Sequence, residues 1–205
     1  MGLRIPVSGL DQHIGEIPAG SLVLVEGPLD PAKTTMAMGL AAEAAGAGWL
    51  VVFITSRHEA PVIAALDQKG GPTGRIRVLG MRPPSVWNPL IKGNTLILVD
   101  SFSYIVQEVQ GLILRQTLEE TRRLCIQHGA IVFLTMEPGM LDPRVERSIE
   151  HIADGIISLH MRESPDGIVR FLRIPVWMDG RTVDRNVNYT IERDLMTVDT
   201  RARVV

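Results

Sequence analysis

Five short apolar runs, separated by stretches with helical character, constrain the fold of this chain more than any other feature. Four of the runs are continuously apolar, so each of these is expected to be a strand buried on both faces, and the shorter "RIRVLG" is expected to be a short strand. The intervening stretches are rich in alanine or carry apolar residues near helical spacing. This alternation predicts βαβ units, and therefore a mainly parallel sheet with helices on both faces. The runs are "SLVLVEG", "WLVVFIT", "RIRVLG", "TLILVDS" and "GAIVFLT".

The longest helix of this pattern is predicted from about Tyr104 to His128. After about Glu150 the pattern changes to strand-like segments, "DGIISLHMRE", "GIVRFLRIPVW" and "VNYTIERD", with a turn signal at Ser164 to Gly167. We expect an antiparallel C-terminal extension of the same sheet. The length of 205 residues, 45% of them hydrophobic, suits a single domain covering residues 1–205.

Charge and composition limit the partners and the compartment. The formal net charge is -2, so no overall positive field favours nucleic acid, and nucleic acid is not an expected partner. The single Cys125 excludes an intramolecular disulfide and is expected to be a buried packing residue. No apolar run reaches the roughly 18 residues of a membrane span, and the first residues lack the apolar core of a signal peptide. A soluble cytoplasmic protein without membrane insertion is expected.

The segment "GPLDPAKTT", from Gly27 to Thr35, follows the first strand and resembles the phosphate-binding pattern G-x-x-x-x-G-K-[ST]. In such a loop, backbone N–H groups at a helix N-terminus hold phosphates, the lysine adds positive charge, and the hydroxyl holds Mg²⁺. The matching positions are Gly27, Lys33 and Thr34. The candidate nucleotide-binding residues are therefore Gly27, Ala32, Lys33, Thr34 and Thr35.

Three residues of this loop depart from the pattern. Pro31 has no N–H to donate, and Asp30 places a carboxylate where the ligand is a polyanion. Ala32 replaces a glycine at a point of close approach to the phosphates. Two alternatives stay open: the loop binds ATP or ADP with Mg²⁺, or it is a strand-to-helix turn that binds nothing.

The order of motifs along the chain resembles the RecA-like ATPases of the KaiC and RadA type. The lead-in "VSGLDQHIGEIPAGSLVLVEGP", the loop, "LVVFITS", "TLILVDSFS", "GAIVFLTME" and "EHIADGIISL" follow one another as in that family. The resemblance covers most of the chain, and it implies a RecA-like P-loop fold. Members of the family often form rings with nucleotide between subunits, so a homo-oligomer or a protein partner is expected.

The resemblance also implies roles for particular residues. Asp100, at the end of "TLILVD", stands where the family orients Mg²⁺, so Thr34 and Asp100 are the candidate metal residues. The alternative is that Asp100 caps the next helix. The family's catalytic Glu-Glu pair lies just past the second strand, where this chain has Arg57 and His58. Glu59 follows one residue later, and the simpler interpretation is a surface loop that begins a helix.

Two further positions bear on catalysis. The family's K-M-R-G stretch, whose basic residues reach the neighbouring subunit's nucleotide, corresponds here to "WMDG" with Trp177 and Asp179. A hairpin turn is the simpler interpretation, and compensation by Arg173 or Arg181 is not expected. Glu137 follows the strand "GAIVFLT" at the ligand side of the sheet, where it is either solvated or in contact with a ligand.

We therefore expect a KaiC-like protein of the RecA superfamily without ATPase activity, acting as a nucleotide-sensing or scaffolding regulatory module. The alternative is an active ATPase with rearranged catalytic residues, using Glu59 or Glu137. A third hypothesis, a DNA-binding recombination protein, is disfavoured by the negative net charge.

Overall fold

The computed structural model describes residues 2–70, 72–165 and 167–199, and in these residues nine strands form one sheet. The strand order is β3-β2-β4-β5-β1-β6-β7-β8-β9. The pairings from β3 through to β6 are parallel, and those from β6 to β9 are antiparallel. The strands are β1 (Leu22–Glu26), β2 (Leu50–Thr55), β3 (Ile76–Leu79), β4 (Thr95–Asp100), β5 (Ile131–Met136), β6 (Gly155–Ser164), β7 (Gly167–Val176), β8 (Val183–Glu192) and β9 (Leu195–Val198).

Helices connect the parallel strands and cover both faces of the sheet. Short 3-10 helices lie at Leu10–Gln12, Thr73–Arg75 and Asn88–Leu90. The α-helices are α1 (Ala32–Gly46), α2 (Glu59–Gln68), α3 (Pro84–Trp87), α4 (Phe102–Val106), α5 (Gly111–His128) and α6 (Pro143–Ile152). The predicted α/β class, with a mainly parallel sheet and an antiparallel C-terminal extension, is confirmed.

Alternate residues of the central strands feed two separate apolar cores. On β1, Val23 and Val25 pack with α1, α2 and the N-terminal segment, whereas Leu22 and Leu24 pack with α4, α5 and α6. All four side chains are at most 1% exposed. Because both faces of the strand are covered, the sequence of β1 is continuously apolar, as is typical of a buried parallel strand.

The prediction of one continuous helix from Tyr104 to His128 is wrong, because the helix is interrupted near the start of that range. α4 ends at Val106, Gln110 has an extended ψ of 134°, and α5 begins at Gly111. The break lies where the chain packs closely against α6. A Cβ added at Gly111 would lie only 2.7 Å from Cγ2 of Val145. Apolar spacing alone could not reveal this break.

Two other segments are more ordered than the sequence suggested. The proline-rich stretch contains α3, whose Trp87 is fully buried against Phe102 with the ring centroids 6.2 Å apart. α6 was not predicted, although its start has a clear signal. Asp142 accepts a hydrogen bond from the N–H of Arg144 at 2.8 Å, and Pro143 occupies the first helical position.

The helices are short or carry many charges. Within the described ranges, we find no helix with the length and apolar character needed to cross a bilayer.

Candidate functional site

The loop between β1 and α1 lies at the carboxyl end of the parallel strands. Its first residue, Gly27, donates its N–H to the carbonyl of Met136 at 3.1 Å. A Cβ added at Gly27 would lie 2.8 Å from Cβ of Leu159 and 2.9 Å from its carbonyl oxygen. A glycine is therefore required here by packing against β6, whether or not the loop binds a ligand.

Asp30 is the least expected feature of the loop. Its Oδ1 accepts a hydrogen bond from the N–H of Ala32 at 2.8 Å, and its Oδ2 accepts one from Nε of Arg170 at 2.9 Å. The Asp30 side chain is only 4% exposed. The sequence placed the Asp30 carboxylate where it would repel a polyanionic ligand unless a cation intervenes, and the structure pairs it with Arg170 of β7. The partner was missed because it lies 140 residues away along the chain.

Lys33 points onto the loop itself. Its ammonium group donates to the carbonyl oxygen of Gly27 at 2.8 Å and to that of Pro28. Burial lowers the pKa of Lys33, and the carboxylates of Glu137, Asp100 and Asp30 oppose that shift. The lysine therefore satisfies the carbonyls of the loop in this conformation.

Thr34 and Asp100 are brought together, as the resemblance implied. The Thr34 hydroxyl donates to Oδ2 of Asp100 at 2.8 Å, and the Thr135 hydroxyl donates to Oδ1 at 2.7 Å. The helix after β4 has Ser101 at its N-cap position, with no side-chain capping bond, so Asp100 does not act as a helix cap. The peptide bond between Asp100 and Ser101 is cis. Thr135 was missed, although a hydroxyl inside an apolar strand is a recognisable signal.

These oxygens fit a Mg²⁺ ion only in part. A hydroxyl and a carboxylate are the hard donors that Mg²⁺ prefers. Among the residues that the structure describes, no group of three or more His, Cys, Asp or Glu side chains is placed to hold a metal ion. Thr34 and Asp100 would therefore need the phosphate oxygens of a nucleotide to complete the site, and metal binding stays a prediction.

The two candidate catalytic carboxylates lie in different surroundings. Glu59 begins α2, and its Oε1 accepts a hydrogen bond from the N–H of Gly80, beyond β3, at 2.6 Å. Arg57 and His58 lie in the loop before α2, as the simpler interpretation predicted. Glu137 directly follows β5, is half-buried, and is close enough to Lys33 to oppose the lowering of its pKa. Of these two carboxylates, only Glu137 opposes the lowering of the Lys33 pKa.

The "WMDG" stretch forms the turn between β7 and β8. Trp177 is 4% exposed and belongs to the core beside α1. The carbonyl of Trp177 accepts the N–H of Gly180 at 2.9 Å, and Asp179 pairs with Arg181 at 2.7 Å. These contacts fit the predicted hairpin turn.

An open groove of about 1000 Å³ is lined by residues along α1. It begins beside Thr34 and Thr35, passes Met38, and is bordered by Arg57 and by the turn between β8 and β9. Thr34 is thus adjacent both to Asp100 and to a space large enough for a small ligand.

The fold and the arrangement of the loop define a RecA-like α/β protein. The chain belongs to a family of unknown function (DUF7125), which it matches over residues 3–204. A search of curated protein sequences gave no match.

Two solved structures have a similar fold. The KaiC-like protein PH0186 from the hyperthermophilic archaeon Pyrococcus horikoshii OT3 is 21% identical, with a TM-score of 0.77, covering 97% of this chain and 99% of that one. The flagellar accessory protein FlaH from Methanocaldococcus jannaschii is 17% identical, with a TM-score of 0.76, covering 98% and 99%. At these identities the likeness shows the fold alone.

Proposed function

We propose that this protein is a RecA-like regulatory or scaffolding module that does not hydrolyse ATP. The observation that carries the proposal is the position of Glu59. The family resemblance implies catalytic carboxylates just past β2. This chain has Arg57 and His58 there, which are not acids. The Glu59 carboxylate accepts a hydrogen bond from the N–H of Gly80. An attacking water would therefore lack a base from this segment.

Other contacts of the site support the same proposal. Lys33 is hydrogen-bonded to the loop carbonyls, and the finger positions hold a core tryptophan and the turn residue Asp179. Loss of an arginine finger alone lowers phosphoryl transfer by about a thousandfold or more. The pair formed by Thr34 and Asp100 is compatible with nucleotide sensing, with Mg²⁺ neutralising phosphate charge when bound.

Steady-state hydrolysis of ATP with Mg²⁺ tests this proposal. We expect turnover far below the roughly 1 per second of ordinary enzymes, with no further loss in Lys33→Ala. A turnover near that value that disappears in Lys33→Ala would contradict it. Thermal shift with ATP, ADP and Mg²⁺ then separates sensing from scaffolding, because a ligand that binds the native state raises the melting temperature.

An active ATPase is the second candidate, and Glu137 is the observation that favours it. Its carboxylate is near Lys33, whereas Glu59 is engaged elsewhere. If hydrolysis is found, the comparison of Glu137→Gln with Glu59→Gln decides which acid is used. The first variant alone should abolish turnover.

The resemblance further suggests assembly with copies of itself or with another protein. One of the similar structures is named an accessory protein, and we extend only that general role to this chain. Light scattering on the purified protein measures the molar mass. A mass that stays at the 22.5 kDa of one chain at all concentrations would count against self-assembly.

A further inference from the structure

The two carboxylate oxygens of Asp30 accept hydrogen bonds from groups of the kinds that commonly bind phosphate. Oδ1 accepts the N–H of Ala32, the first residue of the 15-residue helix α1, and Oδ2 accepts Nε of Arg170. A backbone N–H at a helix N-terminus and a guanidinium are two common partners of bound phosphate. We propose that Asp30 is an internal anion that fills the phosphate position of the loop, and that Arg170 is the cation that holds it there.

The burial of the pair supports this assignment. The Asp30 side chain is 4% exposed and the Arg170 side chain is 29% exposed. A carboxylate is seldom buried to this extent without a charged partner, because its loss of hydration must be offset. Arg170 lies on β7, so the antiparallel extension of the sheet is bonded directly to the loop.

Tyr189 provides independent evidence that a group larger than a carboxylate would find a further hydrogen-bond donor at the position of Asp30. Leu172 pairs with Val187 across β7 and β8, and side chains alternate along a strand. Arg170 and Tyr189, each two residues away from that pair, therefore lie side by side on the same face.

The hydroxyl of Tyr189 is buried and has no hydrogen-bond partner among the described residues. Burial raises its pKa, the Asp30 carboxylate adds to the rise, and Arg170 opposes it. Buried hydroxyls usually have partners. A phosphate group is larger than a carboxylate and has more oxygens, so it could accept from Tyr189 as well as from Arg170 and the N–H of Ala32.

The inference has a direct consequence for the chemistry of the loop. Asp30 does not act by long-range repulsion of a polyphosphate, since its charge is already paired with Arg170. It acts by occupying the donors, and occupation of a buried site changes little with salt. The loop therefore binds a polyphosphate only when Asp30 is separated from Arg170 and from Ala32.

Calorimetry with Mg²⁺–pyrophosphate, at low and high KCl, tests the inference on the full chain. Asp30→Ala frees both donors, whereas Asp30→Asn keeps the shape and one acceptor. We expect affinity to rise from the wild type to Asp30→Asn and further to Asp30→Ala, by about tenfold or more in total, the factor of a charge-assisted hydrogen bond. The gain should persist in high KCl and should be reduced by adding Arg170→Met or Tyr189→Phe.

Two control variants each remove one charge, of the same sign as Asp30 or Arg170, at an exposed position elsewhere on the antiparallel extension. Asp184→Asn removes an exposed carboxylate of β8, and Arg162→Met removes an exposed guanidinium of β6. Neither should alter pyrophosphate affinity. If Asp30→Ala does not fold, Asp30→Asn is compared with Asp184→Asn. Equal affinity of the wild type and the folded Asp30 variants would overturn the inference, as would a gain that disappears in high KCl.

The inference rests on the proposed function, because a loop filled by its own carboxylate suits a protein that does not hydrolyse ATP. The two fail separately. Rapid hydrolysis abolished by Lys33→Ala contradicts the proposed function. A protein that hydrolyses nothing, yet binds pyrophosphate as tightly as its Asp30 variants, contradicts only the internal anion.

Discussion

At the scale of single residues, the buried polar groups are more distinctive of this protein than its buried apolar side chains. Asp100 is 4% exposed, and each of its carboxylate oxygens accepts from one threonine. The carboxylate of Asp30 is buried too, and its oxygens accept hydrogen bonds from the N–H of Ala32 and from Nε of Arg170. A buried carboxylate needs every such partner, because an unmatched charge in the interior is costly.

Replacement of Thr135 by valine should therefore destabilise the protein. The shape is kept, but Oδ1 of Asp100 loses its 2.7 Å hydrogen bond. We expect a loss of about 1–3 kcal/mol in the free energy of unfolding, measured by urea denaturation. Thr190→Val, at an exposed position on β8, is the control and should change little. Equal effects of the two substitutions would contradict the role given to Thr135.

Cys125 should be inert toward thiol reagents in the native protein. It is fully buried in α5, and burial, with a smaller effect of Asp154, raises its pKa to about 12. The thiolate is the reactive form, so it is scarce below that pH. Ellman's reagent at pH 8 should react only after unfolding in urea, and rapid labelling of the folded protein would show the prediction to be wrong.

At the scale of elements, the connection from β1 to α1 is set by one close approach. Gly27 packs against Leu159 of β6 so closely that a side chain has no space. Gly46, the last residue of α1, has no atom within 4 Å of an added Cβ. Two glycines at the two ends of one helical unit therefore have different physical roles.

The substitutions Gly27→Ala and Gly46→Ala should act in opposite directions. The first forces the loop away from β6, and we expect a loss of about 1–3 kcal/mol from overpacking. The second improves the helix and should stabilise the protein by up to about 1 kcal/mol. Thermal unfolding measures both, and the element-level account fails if Gly27→Ala is as well tolerated as Gly46→Ala.

At the scale of the whole molecule, the antiparallel extension and the parallel part of the sheet share one core. Trp177, at the end of β7, packs beside Gly155, where an added Cβ would lie 2.9 Å from the indole ring. It belongs to the same apolar cluster as α1 and β1. Trp177 thus stands where the resembling family has a lysine, and its side chain packs in the core that the two parts of the sheet share.

Replacement of Trp177 by alanine should weaken the entire fold. A buried tryptophan replaced by alanine typically costs about 3–5 kcal/mol, and we expect a single cooperative unfolding transition at lower urea concentration. Leu112→Ala, at a 70% exposed position on α5, is the control and should stay within about 0.5 kcal/mol of the wild type. A small effect at Trp177 would mean that this residue is not part of the core.

The sequence by itself determined the fold class and the position of the loop between β1 and α1. These follow from local patterns, namely continuous apolar runs and a recognisable loop, whereas the approach of Thr34 to Asp100 was implied by the family resemblance. Only the tertiary structure decided that Asp30 pairs with Arg170, that Glu137 lies near Lys33, and that the helix before His128 is broken. Such features depend on residues far apart in the chain, whose proximity is set by the order of strands in the sheet and by close packing. No local spacing encodes that proximity.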